Sequence, residues 1–182
     1  DLKTITDVII YQHGVTSVKE NAYALALGQI GAGLQAPTPK NVAVVVIDHP
    51  LHGERGFALS GSMATVTTSD NPTPYLNLSY LTVARDNLKQ SVADLLGLRL
   101  AVGLANAKGA IGTAGSLKVH FLGHSLGAIA GANLLAVANQ SSGNPQADAL
   151  FKFDTGGLAM PGGGIAPLLL NSPTFGPTIQ MS

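Results

Sequence analysis

The sequence predicts an α/β fold, with an open and mostly parallel β-sheet that carries helices on both of its faces. Short β-branched runs alternate with longer helical stretches along the chain. The runs are apolar at successive positions, as strands buried on both faces of a parallel sheet must be. The helical stretches are long enough for right-handed crossovers between parallel strands. With 182 residues the chain fits one domain over residues 1–182.

Four segments are predicted to be strands. Thr6–Gln12 and Val42–Asp48 are the clearest, because both are rich in valine and isoleucine. Leu117–Leu122 and Ala149–Asp154 complete the set, although both are less strongly β-branched. The carboxyl ends of parallel strands meet at one edge of the sheet, where ligands of open α/β sheets bind.

Three helices are predicted between these strands. The first runs from Ser17 to about Ala32 and opens with a Ser17–Glu20 capping box. The second spans about Leu81–Leu104 and has apolar residues at helical spacing. The third begins at Ser125, is rich in small residues that allow close packing on the sheet, and ends near the Gly143–Pro145 turn.

Two segments do not fit this alternation. Residues 56–80 are rich in serine, threonine and proline and are too long for an ordinary connection, so we expect a lid or a binding loop. Residues 156–182 contain three consecutive glycines and several prolines. We expect them to be an excursion away from the sheet.

Composition restricts the partners and the chemistry. Ten basic and ten acidic residues give zero formal net charge, so the sequence predicts no nucleic-acid partner. Only 11% of the residues are charged, against about 25% in an ordinary soluble protein. This favours either work at a lipid surface or a surface covered by other polypeptide. The absence of cysteine excludes a thiol nucleophile and thiolate metal sites.

The motif with the clearest chemical meaning is Gly123–Gly127, which fits the pattern G-x-S-x-G directly after a predicted strand and before a predicted helix. In that position the central residue, Ser125, occupies a strained turn and presents its hydroxyl as a nucleophile, as in α/β-hydrolases. The alternative is a glycine-rich turn in which the serine only caps the helix.

A serine nucleophile of this type needs an oxyanion hole. The backbone N–H of Leu126, the residue after the serine, is expected to supply one donor. The second donor is expected from the loop after the first strand, and we assign it to the N–H of Val15, which follows His13 and Gly14. His13 and Gly14, with His49 and His52 after the second strand, are expected to shape the substrate pocket.

The base and the acid are harder to assign. The usual chain order is serine, then acid, then histidine, but all five histidines lie before Ser125. His49 or His52 as the base would break that order, and we expect His120 and His124 to be packing residues. Asp154 is the acid that follows Ser125 at a predicted strand end, so it is the candidate triad acid; its alternative role is to cap a turn. We expect Asp48 to bind the loop amides around His52 and Gly53.

Six segments along nearly the whole chain resemble the VolA-like family of bacterial extracellular lipases and lysophospholipases. They are Gln12–Gly14, Asp48–Gly56, Tyr75–Ser79, Ala84–Leu98, Gly123–Ala128 and Pro161–Ile165. The resemblance implies an α/β-hydrolase that is secreted or held at the bacterial cell surface. It also implies cleavage of lipid acyl esters, with Ser125 as the nucleophile.

These expectations define a carboxylic ester hydrolase that works through an acyl-enzyme and requires no metal or organic cofactor. An acyltransferase using the same site and a non-catalytic hydrolase-like binding module are the alternatives. The α/β-hydrolase fold formed by these 182 residues is expected to be incomplete. A missing segment or a second chain is then expected to carry the catalytic histidine.

Overall fold

The computed structural model describes residues 1–35, 37, 40–58, 60–61, 65–69, 71–164, 167, 170–173 and 176–177. Its strands are β1 (Asp7–Gln12), β2 (Val42–Val46), β3 (Phe57–Ala58), β4 (Thr65–Val66), β5 (Lys118–His124) and β6 (Thr155–Ala159). Its helices are α1 (Ala22–Leu34), α2 (Leu81–Ala107), α3 (Leu126–Ala138) and α4 (Pro145–Phe151).

The central sheet has four strands in the order β2-β1-β5-β6, and each neighbouring pair is parallel. Its register places Gln12 beside Gly123 and His124 beside Ala159, so the carboxyl ends of β1, β5 and β6 lie side by side. The predicted α/β class with a parallel sheet is confirmed. The segment that is predicted to carry the nucleophile follows directly from the carboxyl end of β5.

One face of the sheet forms the main core. Alternate residues of β1 and β5, among them Ile10 and Phe121, are fully buried and pack against α2 and α3. Helix α3 lies very close to β5, because a Cβ at Gly131 would overlap the ring of Phe121. Leu134 of α3 is completely buried in this cluster, so its truncation to alanine would cost about 2–5 kcal/mol of stability.

The opposite face carries α1. Gly33 of α1 lies against Val42 of β2, and β2 is an edge strand of the sheet. Asp7 and Val42 are register partners, so both side chains lie on this second face. The prediction of helices on both faces is therefore confirmed.

The fourth predicted strand was misplaced. The first half of the predicted strand Ala149–Asp154 belongs to the helix α4, which Asn144 caps by accepting from the amides of Gln146 and Ala147. Proline at its first position also favours the helix. The fourth strand begins only at Thr155. This strand packs so closely against α3 that a Cβ at Gly156 would overlap the side chain of Leu135, so glycine is required there.

The predicted capping box is also absent. Helix α1 begins at Ala22 after a 3-10 turn over Lys19–Asn21, and no side chain caps it. The Ser17 hydroxyl instead accepts a hydrogen bond from the Asn21 amide at 2.7 Å. Lys19, in the 3-10 turn, donates to the buried carboxylate of Asp48 from its backbone N–H and from its ammonium group. Because these contacts fix the turn, the helix begins later than predicted.

In the described part of residues 56–80, β3 and β4 form a small antiparallel pair. Tyr75, in the loop that follows, is fully buried. The predicted excursion begins later than expected, because residues 156–159 belong to β6. Among the helices of the described residues, none combines the length and the apolar character needed to span a membrane.

Candidate active site

Backbone strain is concentrated at the carboxyl end of the sheet. Four non-glycine residues in the described part of the chain have positive φ: Thr16, Leu51, Ser125 and Met160. One follows each of the four strands β1, β2, β5 and β6. A non-glycine residue in such a conformation costs about 1–3 kcal/mol and persists where the surrounding structure enforces it. This clustering marks the edge of the sheet where the sequence places the site.

Ser125 occupies the turn between β5 and α3, with φ 53° and ψ −117°. Its backbone N–H donates to the carbonyl oxygen of Ala159 at 2.9 Å, which ties the turn to the end of β6. Its own carbonyl accepts from the amides of Ala128 and Ile129, which begin the hydrogen bonding of α3. The serine thus stands at the amino end of a helix, where the aligned peptide dipoles stabilise negative charge.

The two outer glycines of the motif are required by close backbone contacts. A Cβ at Gly123 would overlap the carbonyl oxygen of Gly127, and a Cβ at Gly127 would overlap the carbonyl oxygen of Gln12. The obstacles are main-chain atoms of the helix and of β1, which cannot rotate away. The sequence pattern therefore reflects the crossing of three backbone segments at the turn.

The loop after β1 lies directly against Ser125. A Cβ at Gly14 would be 3.2 Å from the Cβ of Ser125 and 3.2 Å from Nδ1 of His124. Gly14 is buried, and Val15 follows it at the partly exposed surface of the site. Leu126 is the first residue of α3, so its N–H is among the helix amides that lack an intrahelical partner. The structure thus brings the expected oxyanion loop to Ser125.

His13, His49 and His52 form a buried cluster beside this loop. Their ring centroids are 4.9–5.5 Å apart, and each of the three residues is at most 1% exposed. Tyr75 completes the cluster, with its ring centroid 5.3 Å from that of His52. These are the histidines that the sequence assigned to the pocket, and the structure places them together in the interior beside the Gly14 loop.

Most of the ring nitrogens in this cluster have partners. Nδ1 of His13 is 2.8 Å from the carbonyl oxygen of Gly14, and Nδ1 of His52 is 2.8 Å from that of Pro50. His49 uses both nitrogens, toward the hydroxyl of Ser91 at 2.9 Å and the carbonyl oxygen of His13 at 3.0 Å. Nε2 of His52 is buried without a hydrogen-bond partner in the part of the chain that the structure describes.

Burial keeps these imidazoles neutral. It lowers the pKa of His13 and of His52, and it lowers the pKa of His49 well below the ordinary value. Mutual repulsion within the cluster adds to the effect on His49, since a charge on His13 or His52 disfavours another there. Burial also raises the pKa of the Tyr75 hydroxyl to about 12. The cluster therefore consists of neutral donors and acceptors at physiological pH.

Asp48 binds Lys19, which lies in the loop between β1 and α1. Its carboxylate accepts from the backbone N–H of Lys19 at 2.7 Å and from the Lys19 ammonium group at 3.2 Å. The expectation that it binds amides around His52 and Gly53 is therefore corrected in favour of the Lys19 amide. Gly53 does pack against it, since a Cβ there would be 2.5 Å from the carboxylate. Asp48 thus links the loops after β1 and β2.

Asp154 lies at the other end of the sheet. It precedes β6, and its carboxylate accepts from the backbone N–H of Val119 at 2.8 Å and pairs with the Lys118 ammonium group at 3.2 Å. Val119 precedes Ser125 by six residues, so most of a strand separates Asp154 from Ser125, about 20 Å at 3.3 Å per residue. The assignment of Asp154 as triad acid is therefore corrected. It depended on a predicted strand that ends at Asp154, whereas in the structure β6 begins at Thr155.

His120 also belongs to that far end. Its Nε2 is 3.0 Å from the carboxylate of Asp7, and its Nδ1 is 2.7 Å from the hydroxyl of Thr155. It therefore joins three neighbouring strands and lies away from the nucleophile. Among the described residues, no histidine, cysteine, aspartate or glutamate side chains form a group of three or more that could hold a metal ion.

Sequence reasoning missed Tyr75 and Ser91 as parts of the site. The Tyr75 hydroxyl is 2.7 Å from that of Ser91, and Ser91 in turn contacts His49. Ser91 is a polar residue on the buried side of α2, near the apolar residues Leu88 and Leu95. A polar residue on a predicted apolar face was the signal that could have identified it.

Part of the chain is similar to a known lipase. A stretch of 70 residues, 38% of the chain, is 76% identical to an extracellular lipase of Aeromonas hydrophila. Over this stretch the chain is related to a lipase. The matched region spans only 10% of that relative's own length. No protein-family model and no solved structure matches the chain. The lipase relationship and the parallel sheet together support the α/β-hydrolase fold.

Proposed function

We propose that this chain carries the nucleophile and the oxyanion hole of a serine ester hydrolase that cleaves lipid acyl esters. The strained conformation of Ser125 at the strand-to-helix turn is the observation that carries the proposal. A serine that only caps a helix ordinarily has extended backbone, whereas a nucleophile at a strand-to-helix turn is held in a strained conformation. The similarity to an extracellular lipase supports the lipid ester as substrate and secretion or the cell surface as the location.

In the proposed reaction, the Ser125 hydroxyl oxygen attacks the ester carbonyl carbon and passes its proton to a base. The N–H groups of Val15 and Leu126 stabilise the oxyanion of the tetrahedral intermediate. Collapse of that intermediate breaks the bond to the alcohol, which takes the proton from the base. Water then attacks the acyl-enzyme with the help of the same base, and the carboxylic acid leaves as Ser125 recovers its proton.

We propose that the base and its acid lie on polypeptide outside this sequence, either a further segment or a second chain. The hydrogen bonds of His13 and His49 support this, because they occupy the ring nitrogens of both residues. His52 is the competing base within the chain, since its Nε2 has no hydrogen-bond partner among the residues that the structure describes. His52→Gln in the full-length protein separates these cases: hydrolysis persists if the base lies elsewhere and is abolished if His52 is the base.

The proposed function is tested by assaying the full-length protein on p-nitrophenyl esters of increasing acyl length. Ser125→Ala is expected to abolish hydrolysis, while Ser116→Ala, an exposed serine before β5, retains it. Because an acyltransferase would use the same site, products are also quantified with glycerol present as an acceptor. Release of free fatty acid as the main product is expected, and dominant transfer to glycerol would contradict hydrolysis as the function.

A further inference from the structure

His49 contacts His13 twice. The backbone N–H of His49 donates to Nε2 of His13 at 3.3 Å, and Nε2 of His49 lies 3.0 Å from the carbonyl oxygen of His13. That carbonyl belongs to the peptide that joins His13 to Gly14. The side chain of His49, which follows β2, therefore holds the His13–Gly14 peptide. The next peptide along the chain carries the N–H of Val15, the proposed oxyanion donor.

The direction of these hydrogen bonds follows from chemistry. A carbonyl oxygen can only accept, so the proton of the neutral His49 imidazole must be on Nε2. Nδ1 is then an acceptor, and the Ser91 hydroxyl 2.9 Å away donates to it. The Ser91 hydroxyl has one proton, so the Tyr75 hydroxyl, 2.7 Å away, must donate to Ser91. Longer contacts join both hydroxyls to the carbonyl oxygen of Asn87.

The relay runs through the buried interior from the loop before α2 to the nucleophile. Tyr75, Ser91 and His49 are each at most 1% exposed, so no bulk water competes for these hydrogen bonds. The end of the relay lies beside the site, because a Cβ at Gly14 would be 3.2 Å from the Cβ of Ser125. A small displacement of the His13–Gly14 peptide would thus move the following amide relative to the reacting carbonyl.

We infer that His49 is a positioning residue for the oxyanion hole: it fixes the His13–Gly14 peptide so that the N–H of Val15 faces the developing oxyanion. The inference rests on the proposed function, since it needs Ser125 to act as a nucleophile. His49 does not touch the substrate in this scheme. Its effect falls on transition-state stabilisation and leaves ground-state binding unchanged.

The test compares His49→Leu with His49→Gln in the full-length protein. Glutamine can place an amide N–H near the position of Nε2 and keep the bond to the His13 carbonyl, whereas leucine cannot. His49→Leu is expected to lower kcat about 10- to 100-fold, less than or equal to the loss of one oxyanion donor, with KM unchanged. The inhibition constant of an alkyl boronic acid, which forms a tetrahedral adduct on the serine, should rise in parallel. His49→Gln should restore most of both values.

His120→Leu is the matched control, because it removes a hydrogen-bonded histidine from the far end of the same sheet. It should lower Tm without changing kcat or the boronic acid affinity. If His49→Leu behaves like this control, or if His49→Gln is as impaired as His49→Leu, the inference is overturned. Turnover that survives Ser125→Ala would instead refute the proposed nucleophile.

Ser91→Ala provides a second route that leaves His49 in place. It removes the donor to Nδ1 of His49 and so loosens the ring without removing its bond to the His13 carbonyl. We expect kcat to fall about 3- to 10-fold, which corresponds roughly to the free energy of one buried neutral hydrogen bond, and KM to be unchanged. An unchanged kcat in this variant would show that the relay does not reach the site, even if His49→Leu failed to fold.

Discussion

The close crossing of backbones at the nucleophile turn predicts opposite effects for the same substitution at two helical glycines. Gly127 is the second residue of α3, and an alanine Cβ there would overlap the carbonyl oxygen of Gln12 and lie 2.7 Å from that of His13. Gly97 is an exposed residue inside α2, and a Cβ there meets nothing within 4 Å. Gly127→Ala should therefore destabilise the protein, and Gly97→Ala should stabilise it.

The magnitudes follow from two separate effects. Alanine gains about 1 kcal/mol over glycine inside a helix, so Gly97→Ala should raise the free energy of unfolding by about 0.5–1 kcal/mol. Overpacking costs about 1–3 kcal/mol, occasionally more, and the upper end applies at Gly127 because the obstacle is main chain. Gly127→Ala should then lose about 2 kcal/mol net, which leaves the variants about 3 kcal/mol apart.

Urea unfolding followed by circular dichroism measures both free energies, and thermal unfolding gives a second estimate. For a chain of this size 1 kcal/mol corresponds to about 2–4 °C in Tm, so the two variants should differ by roughly 6–12 °C. If Gly127→Ala were as stable as Gly97→Ala, the tight approach of α3 to β1 would be refuted. The requirement for glycine at this position of the motif would then need another explanation.

Three further predictions concern the site and its surroundings. Ser125→Gly should be more stable than Ser125→Ala by about 1–2 kcal/mol in urea unfolding, because glycine adopts positive φ without strain; equal stabilities would argue against a strained turn. Because burial lowers the pKa of His13, His49 and His52, the unfolded protein binds more protons than the folded one below pH 6.5. The free energy of unfolding should thus be constant near pH 8 and fall as the pH drops below about 6.5, by at most about 1.4 kcal/mol per pH unit for each histidine; a flat profile between pH 8 and pH 5 would contradict the neutral cluster. Asp154→Asn should lower Tm through its lost contacts but leave the rate of ester hydrolysis unchanged, and loss of hydrolysis with an unchanged Tm would reinstate Asp154 in the site.

Much of the fold could be predicted because local pattern and tertiary packing agree. The β-branched runs around Ile9 and Val44 are strands in both the prediction and the structure, and the small-residue stretch after Ser125 is a helix. The fourth strand was misplaced because its glycines have low β-propensity and are selected by the close approach of α3. The Asn144–Pro145 pair was the overlooked signal for the helix that takes up the first half of the predicted strand.

The candidate site divides in the same way. The turn at Ser125 and the Gly14 loop follow from short motifs whose geometry is local. The contact between His49 and Ser91 joins residues 42 positions apart, and no local pattern specifies such a pairing. The prediction for Asp154 depended on where a strand ends. Such boundaries are set by packing that a single sequence does not display. The hydrogen bonds that join Tyr75, Ser91 and His49 to the loop after β1 could thus be found only from the structure.

The central claim, that Ser125 is an activated nucleophile, is tested most directly by covalent labelling. The full-length protein is treated with a fluorophosphonate probe, digested, and its modified peptide is identified by mass spectrometry. The account predicts a single phosphonylated residue at Ser125, and no labelling of the Ser125→Ala variant. An esterase-active protein that remains unlabelled at Ser125, or that carries the probe on another residue, would contradict it.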